Sequence, residues 1–263
     1  ADEIHNVYGH QWGKLVQASL AEVAPNERPF MIMRSGFAGS QRYGMLPWTG
    51  DVSRSWGGLK PQVELSLQMG LLGLAYTHSD LGGFAGGESF DKEMYIRWLQ
   101  FGTFQPIFRP HAQDNIAPEP VYHDEETLGI VRDYIKLRYR LTPYNYSLAY
   151  QNSVTGMPLM RPMFMSGDAS RDWLPEKEQF MWGDSLLIKP VTEPNIRSIK
   201  VHLPEGNWFD YWTGKHYEGD QSLDYPLSLE RMPILVKGGA IIPTVPAVST
   251  LRDYSSATLK LDL

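Results

Sequence analysis

Four short apolar stretches in the first half of the chain each end in polar or charged residues, and amphipathic stretches separate them. The apolar stretches are RPFMIMRS, YGMLPWTGD, LLGLAYTHSD and FQPIFRPH, and the residues that close them include Arg34, Asp51, Asp80 and His111. Strands that alternate with helices form right-handed β-α units around a parallel sheet. In a (β/α) barrel the carboxyl ends of the strands meet on one face. The order therefore predicts an α/β architecture with these polar residues on one face.

The amphipathic stretches predict three helices. One face of the first is formed by Leu59, Val63, Leu67 and Leu71, which recur every four residues. The second is SFDKEMYIRWLQFG, in which Ser89 is a suitable N-cap and Met94 and Trp98 lie on one side. The third runs from about Asp124 to Leu141. Four strands are half of an eight-stranded barrel, and a half-barrel leaves two open parallel edges.

The pattern changes after about Thr155. Pro and Gly separate the short strands SLLIKPV, SIKVHLP, NWFDYWTGKHYEG and MPILVKGGAIIPTV. Turn signals at this spacing predict a small antiparallel β-sandwich. Within it, WFDYWTGKHYEG predicts a hairpin with Thr213 and Gly214 in its turn. The last residues, SATLKLDL, alternate as a further strand.

Charge and composition exclude several functions. Lys and Arg number 24 against 30 Asp and Glu, and no basic run could follow a phosphate backbone, so nucleic acid is not an expected partner. No apolar run reaches the roughly 18 residues of a membrane span. The absence of cysteine excludes disulfides, thiolate metal sites and a cysteine nucleophile. It suits both a reducing cytoplasm and a bacterial envelope, and we slightly favour a bacterial periplasmic or secreted location.

The residues that close the strands form a candidate site. Each has an ordinary explanation by itself: a helix cap, an ion pair or a core side chain. Together an Arg, two Asp and a His beside aromatic rings could donate to and accept from several sugar hydroxyls. Rings next to hydrogen-bonding groups also suit pyranose faces. The candidates are Arg34, Trp48, Asp51, Asp80, Phe84, Arg109 and His111.

Other chemistries fit less well. The GGFAGG stretch, residues 82–87, lacks the Lys-Ser/Thr of a phosphate loop and does not match the dinucleotide fingerprint. It either lets the backbone approach a ligand or forms a flexible turn. His5 and His10 could bind a metal with Asp2 or Glu3, but no consistent third ligand accompanies them. No G-x-S-x-G elbow occurs. We expect neither a metal nor a cofactor.

Several segments resemble glycoside hydrolase family 31, the α-glucosidase and α-xylosidase family. They are RSGFAGSQRYGMLPWTGDVSRSW, HSDLGGF, FQPIFRPH, LRYRLTPYNYSLA, GMPLMRPMF and QFMWGDSLLIKPV, and they follow the family order through nearly the whole chain. The fine detail is similar to bacterial oligosaccharide 4-α-glucosyltransferases of that family. The implied fold is the second half of a (β/α)8 TIM barrel followed by an antiparallel β-sandwich domain.

The resemblance implies roles for the residues that close the strands. Asp51, in the W-x-G-D pattern of the family, matches the general acid/base. Arg34 matches the arginine that holds the sugar of the −1 subsite and the nucleophile, and His111 matches a histidine that bonds the hydroxyls of that sugar. Trp48 and Phe84 match walls of the −1 pocket. All four would bind substrate.

Three further residues are implied to complete the site. Asp80 matches the aspartate of the D-x-G-G-F turn, which supports the site and contacts substrate. Arg109 lies beside it as an expected ion-pair partner. His78 is implied to lie behind the sugar-binding residues with Arg109.

A retaining glycosidase needs two carboxyl groups about 5 to 5.5 Å apart. The nucleophile of the family lies in a W-x-D-M-x-E-like motif, and this sequence contains no such motif. We therefore expect the nucleophile to lie outside this chain, in a missing N-terminal half of the same enzyme, and the chain alone to be inactive. An inverting pair of Asp51 and Asp80, roughly 6.5 to 9.5 Å apart, is the alternative.

The resemblance also implies the domain organisation and the activity. Residues 1–155 would hold barrel strands 5 to 8, residues 156–246 a proximal β-sandwich, and residues 247–263 the start of a distal β-domain. The implied activity is cleavage of α-glucosidic bonds in α-glucan oligosaccharides, with glucosyl transfer to an acceptor sugar or to water. An α-xylosidase remains an alternative. So does a non-catalytic carbohydrate-binding fragment that uses Trp208, Tyr211 and Trp212.

Overall fold

A computed structural model describes residues 2–166 and 171–262 of the chain. Ala1 and Leu263, at the two ends of the predicted domain ranges, and residues 167–170 lie outside the described residues. We call residues 2–155 the barrel segment. Its elements are α1 (Tyr8–Val23), β1 (Met31–Met33), β2 (Met45–Pro47), α2 (Trp56–Leu71), α3 (Lys92–Gly102), α4 (Glu125–Arg140) and α5 (Thr142–Thr155).

The barrel segment contains the predicted parallel array. β1 and β2 pair in parallel, with Met31 opposite Met45. The array continues through two single parallel bridges, one between Trp48 and His78 and one between Leu81 and Pro110. Four successive chain segments thus lie side by side in the same direction, which brings their carboxyl ends to one edge.

The third predicted strand, LLGLAYTHSD, is wrong over most of its length. α2 runs through Leu71, and the chain then turns, with the amide of Leu74 donating to the carbonyl of Met69 at 3.0 Å. Gly73 provides the positive φ of +81° that this turn needs. Leu71 and Leu72 are exposed, so the predicted apolar face of α2 is confirmed only at its first three positions. Extended pairing begins at His78.

The fourth predicted strand, FQPIFRPH, is also shortened. Phe104 and Gln105 form turns that close α3, and pairing is restricted to Pro110. Pro106 and Pro110 have no amide hydrogen to donate to a neighbouring strand, which explains why no continuous ladder forms.

The helices follow the sequence pattern with one change of cap. Asp91, rather than Ser89, is the N-cap of α3, because its carboxylate accepts from the amide of Met94 at 3.0 Å. Met94 and Trp98 are buried as predicted. Asp124 caps α4, which ends at Arg140. α1 and α5 are additional helices that the apolar pattern did not reveal.

The remainder of the described chain is a two-layer β structure, which we call the sheet domain (described residues from 156 onward). Its strands are β3 (Met160–Pro162), β4 (Phe180–Trp182), β5 (Leu186–Ile188), β6 (Ser198–Leu203), β7 (Asn207–Asp210), β8 (His216–Glu218), β9 (Gln221–Pro226), β10 (Ile234–Lys237), β11 (Ile242–Thr244) and β12 (Lys260–Asp262). A six-stranded sheet has the order β3-β4-β5-β10-β7-β8, and β6 pairs with β9 as a second layer. Buried residues of both layers, Met181, Leu187, Val201, Leu203 and Tyr225, pack together between them.

The predicted hairpin lies between β7 and β8. The carboxylate of Asp210 accepts from the amide and the hydroxyl of Thr213, and Gly214 adopts a φ of +70°. Trp208, a candidate carbohydrate-binding ring, is buried in the sandwich and donates its indole N–H to the carbonyl of Pro204 at 2.9 Å. β12 pairs antiparallel with β11.

One hydrophobic core continues across both parts of the molecule. Buried residues of α2, α3 and α4 share it with Phe180, Trp182, Ile188 and Ile234 of the sheet domain. The sheet domain therefore packs directly against the helices of the barrel segment. Among residues 2–166 and 171–262, no helix combines the length and the apolarity that crossing a membrane requires.

Candidate active site

The predicted site residues lie at one edge of the parallel array. We call them the strand-end cluster: Arg34, Trp48, Asp51, His78, Asp80, Phe84, Arg109 and His111. Arg34 directly follows β1, and Trp48 and Asp51 follow β2. His78 and Asp80 flank the third paired segment, and Arg109 and His111 flank Pro110 in the fourth. The strands thus bring together all eight residues that the sequence identified.

Arg34 and Asp51 form an ion pair at the open side of the cluster. Their side chains are 58% and 50% exposed. Ion pairs as exposed as this one are weak, because water screens them. Gly50 allows the close approach: its φ is +78°, and a Cβ there would lie 3.2 Å from Nε of Arg34. Asp51 is therefore a carboxylate that a ligand can reach.

Trp48 lies close to two arginines. The guanidinium carbons of Arg34 and Arg109 are 5.6 Å and 5.9 Å from the centre of its ring. This is within the range of cation–π attraction, which holds the ring in place. Trp48 thereby connects the exposed pair to the buried part of the cluster.

The buried part consists of His78, Asp80 and Arg109. Arg109 pairs with Asp80, whose side chain has no exposed surface. It also donates from Nε to Nε2 of His78 at 3.2 Å, which places the proton of a neutral His78 on Nδ1. His78 Nδ1 and Asp80 Oδ2 have no hydrogen-bond partner within the described part of the chain.

Burial sets the protonation of these two groups. It lowers the pKa of His78 to about 4, with the positive charge of Arg109 acting in the same direction. Burial also raises the pKa of Asp80, against the lowering effect of Arg109 and His111, and the negative charge of Asp51 adds to the rise. His78 is therefore neutral at pH 7.

Phe84 and His111 form the remaining wall of the cluster. Their ring centres are 5.3 Å apart, with the planes tilted by 30°. The glycine-rich loop of residues 82–87 is held against the segment that follows Asp51, since Phe84 donates its amide to the carbonyl of Val52 at 2.9 Å. Gly83 permits this approach, because a Cβ there would lie 2.5 Å from the Cα of Arg54. The glycines of this loop therefore allow its backbone to approach the segment that follows Asp51, rather than a ligand.

A buried polar network lies beneath the cluster and was not predicted from the sequence. Ser79 donates to Gln105 at 3.2 Å, and Trp98 donates its indole N–H to Ser79 at 3.0 Å. Gln105 in turn donates to Ser66 on α2 at 3.2 Å. These links fix the backbone between His78 and Asp80. Little in the sequence indicated this network, because Ser79 lies within the polar run Thr77 to Asp80 that closes the apolar stretch.

The cluster combines one exposed carboxylate with donors and apolar surfaces. Asp80 cannot face a water molecule or a sugar while its side chain is buried, which argues against an inverting pair of Asp51 and Asp80. In the described ranges, no three His, Cys, Asp or Glu side chains come close enough to hold a metal ion. His10 instead pairs with the hydroxyl of Ser40 at 2.9 Å.

Comparison with known proteins identifies two family domains. A model of the TIM-barrel domain of glycosyl hydrolases family 31 matches residues 1–148, and one of the family 31 C-terminal domain matches residues 156–242. The structure of the family 31 dextranase of Flavobacterium johnsoniae complexed with glucose matches with a TM-score of 0.89 and 34% identity, over 94% of this chain and 31% of that one. The predicted fold class, part of a (β/α)8 barrel followed by an antiparallel β-sandwich, is confirmed.

The curated relatives of this chain include proteins named as α-glucosidases and α-xylosidases. Neutral α-glucosidase C of Homo sapiens is 38% identical over 246 residues, which cover 92% of this chain and 26% of that protein. The α-xylosidase of Saccharolobus solfataricus is 38% identical over 223 residues, which cover 83% of this chain and 30% of that protein. The chain thus spans between a quarter and a third of the length of the relatives that it matches.

Proposed function

Because this chain belongs to glycoside hydrolase family 31, we propose that its strand-end cluster is part of a retaining active site that cleaves α-glucosidic bonds. The observation that carries the proposal is the exposed carboxylate of Asp51, which pairs with Arg34, whose guanidinium in turn lies over the ring of Trp48. A carboxyl group that a ligand can reach suits proton transfer to a glycosidic oxygen.

Asp51 is the general acid/base of the proposed mechanism. In the first step its proton moves to the glycosidic oxygen, the bond between that oxygen and C1 of the sugar breaks, and a carboxylate nucleophile bonds to C1. In the second step Asp51 takes a proton from water or from an acceptor hydroxyl, whose oxygen displaces the carboxylate. The buried Asp80 does not serve as that nucleophile. We place the nucleophile in polypeptide outside this chain, in the N-terminal half of the same enzyme. The chain alone would therefore be inactive.

The other residues bind the sugar or support those that do. Arg34 and His111 donate to hydroxyls of the −1 sugar, and Trp48 and Phe84 form walls of its pocket. Arg109, Asp80 and His78 form the buried layer behind them. Asp80 is buried and pairs with Arg109, and this burial supports the proposal that it holds Arg109 rather than contacts the sugar.

The proposed organisation follows the two structural parts. Residues 1–155 supply barrel strands 5 to 8 and the active-site residues, and residues 156–246 form the supporting sandwich. The region 247–263 begins a distal β-domain, and its last strand, β12, is paired with β11. The continuous core between the first two parts supports a buttressing role for the sandwich.

Glucose is the proposed occupant of the −1 subsite, within an α-glucan oligosaccharide. Transfer to a second sugar, as in a 4-α-glucosyltransferase, and transfer to water differ only in the acceptor. Incubation with maltotriose separates them, since transfer redistributes chain lengths and hydrolysis accumulates glucose. The similarity to an α-xylosidase favours xylose as the second candidate. The ratio of kcat/KM for 4-nitrophenyl α-glucoside and α-xyloside decides between the two sugars.

The test of the proposal is Asp51→Asn in the enzyme that carries this chain. We expect kcat/KM for maltose to fall by roughly 10²- to 10⁴-fold, the usual contribution of a general acid. With α-glucosyl fluoride as the substrate, the rate of the first step should fall less, because fluoride leaves without a proton. The control is Asp133→Asn, at an exposed position of α4. Wild-type turnover of maltose by Asp51→Asn would overturn the assignment.

A further inference from the structure

Arg54 links the loops that follow three successive strands. Its guanidinium donates to the Oδ1 atom of Asn115 at 3.2 Å and to four backbone carbonyls of the glycine-rich loop. The carbonyls are those of Gly83 at 3.4 Å, Phe84 at 3.0 Å, Gly86 at 2.9 Å and Gly87 at 3.2 Å. Arg54 itself follows Asp51 by three residues, and Asn115 follows His111 by four. One side chain therefore joins the loop of the acid, the loop of Phe84 and the loop of His111.

The position is built for this contact. Arg54 is 7% exposed, and the oxygen atoms that it contacts are amide and carbonyl oxygens. The planar guanidinium of Arg54 has five N–H donors that point in different directions and can reach this divergent set of acceptors. The ammonium group of a lysine could not reach them all. The backbone amide of Arg54 also donates to the carbonyl of Ala85 at 2.7 Å, so main chain and side chain hold the same loop.

The contacts of Arg54 extend to the sugar-binding wall. The carbonyl of Phe84, which accepts from Arg54, also accepts from the amide of Gln113 at 3.1 Å. The ring of Phe84 packs against the ring of His111, with 5.3 Å between the ring centres. A displacement of the loop by loss of Arg54 would therefore move Phe84 and remove the contact that orients His111.

We propose that Arg54 is a positioning residue that fixes the Phe84 and His111 wall of the −1 subsite in register with Asp51. The inference rests on the proposed function, because it assigns Arg54 to the same site. Arg54 does not touch the sugar. Its effect is on how well the wall holds the sugar, both in the bound substrate and as the bond to the leaving group breaks.

The experiment compares Arg54→Met, Arg54→Lys and Arg132→Met in the full enzyme. Arg132 is an exposed position of α4 and serves as the matched control. With 4-nitrophenyl α-glucoside we expect Arg54→Met to raise KM roughly tenfold and to lower kcat/KM by roughly 10²-fold, the scale of a misplacement of about 1 Å. Arg54→Lys should be intermediate and Arg132→Met unchanged. Hydrogen exchange should become faster in peptides covering residues 82–87 and 111–115 of Arg54→Met.

KM separates positioning from simple loss of folded protein, because KM does not depend on the fraction of enzyme that is active. A fall in kcat with unchanged KM, or unchanged exchange in both loops, would overturn the inference. A wild-type enzyme that cleaves no α-glycoside would instead overturn the proposed function, and with it this role of Arg54. An active wild type with an Arg54→Met variant of equal KM and kcat overturns the inference alone.

Discussion

Asp51 and Asp80 close neighbouring strands but lie in opposite environments. Asp51 is half exposed and paired with Arg34, whereas Asp80 has no exposed surface and is paired with Arg109. The sequence pattern predicted that both acids lie at strand ends, but it did not distinguish a buried acid from an exposed one. The roles that we propose for them differ because their burial differs, and burial is set by residues distant in the sequence. Arg54 was not singled out at all, because its acceptors are mostly backbone carbonyls, which leave no trace in a sequence.

The buried His78 predicts a dependence of stability on pH. Burial and the neighbouring Arg109 lower its pKa in the folded protein from 6.5 to about 4. The unfolded chain therefore binds a proton between these values when the folded chain does not. The contribution of neutral His78 to the free energy of unfolding is fully present above pH 6.5 and is lost as the pH falls toward 4. Its size is about 3 kcal/mol.

Replacement of His78 isolates this contribution. The side chain of glutamine in His78→Gln offers an oxygen acceptor to Arg109 but does not titrate. We expect its free energy of unfolding, measured with urea at several pH values, to fall less steeply below pH 6.5 than that of the wild type. His5→Gln, at an exposed histidine, is the control. Parallel curves for the wild type and His78→Gln would refute the prediction.

At the scale of elements, helices were predicted more accurately than strands. The positions of α2, α3 and α4 follow from local periodicity, which a single helix satisfies by itself. The third and fourth strands are reduced to single bridges, because Gly73 ends α2 in a turn and prolines interrupt the fourth. Pairing between strands depends on distant residues, so its extent could not be predicted from local patterns.

The N-terminus of α3 gives a test at this scale. Asp91 accepts from the amide of Met94 and, at 3.0 Å, from the indole N–H of Trp56. Asp91→Ala should lower the free energy of unfolding by about 1 kcal/mol, the typical value of an N-cap. Ser89→Ala should change it by less than about 0.5 kcal/mol, as most surface substitutions do. Urea titration of both variants provides the comparison, and a larger loss in Ser89→Ala would restore Ser89 as the cap.

At the scale of the whole molecule, the barrel segment and the sheet domain are joined by polar contacts as well as by the common core. Arg97 on α3 donates to the carbonyl of Ser228 at 3.0 Å, and Gln100 donates to the carbonyl of Leu229 at 2.7 Å. On α4 the hydroxyl of Tyr134 accepts from the amide of Met232 at 2.7 Å. The change of pattern after Thr155 predicted two parts, but nothing local indicated how closely they pack.

These contacts predict that both parts unfold together. Tyr134→Phe leaves the buried amide of Met232 without its acceptor and should cost about 1 to 3 kcal/mol. Native-state hydrogen exchange should then become faster by the same factor in the most protected amides of α4 and β10. Tyr146→Phe, at an exposed position of α5, is the control. A change confined to α4 would mean that the two parts unfold independently.

Azide distinguishes a general acid/base role of Asp51 in a retaining mechanism from the role of nucleophile and from no role in the chemistry. In Asp51→Ala supplied with α-glucosyl fluoride, the proposed nucleophile forms a β-linked ester that water cleaves slowly without a general base. Azide needs no base. It attacks C1 from the opposite face as the ester bond breaks, so we expect faster turnover with azide and α-glucosyl azide as the product. Formation of β-glucosyl azide would identify Asp51 as the nucleophile instead. Wild-type turnover without azide would remove Asp51 from the chemistry.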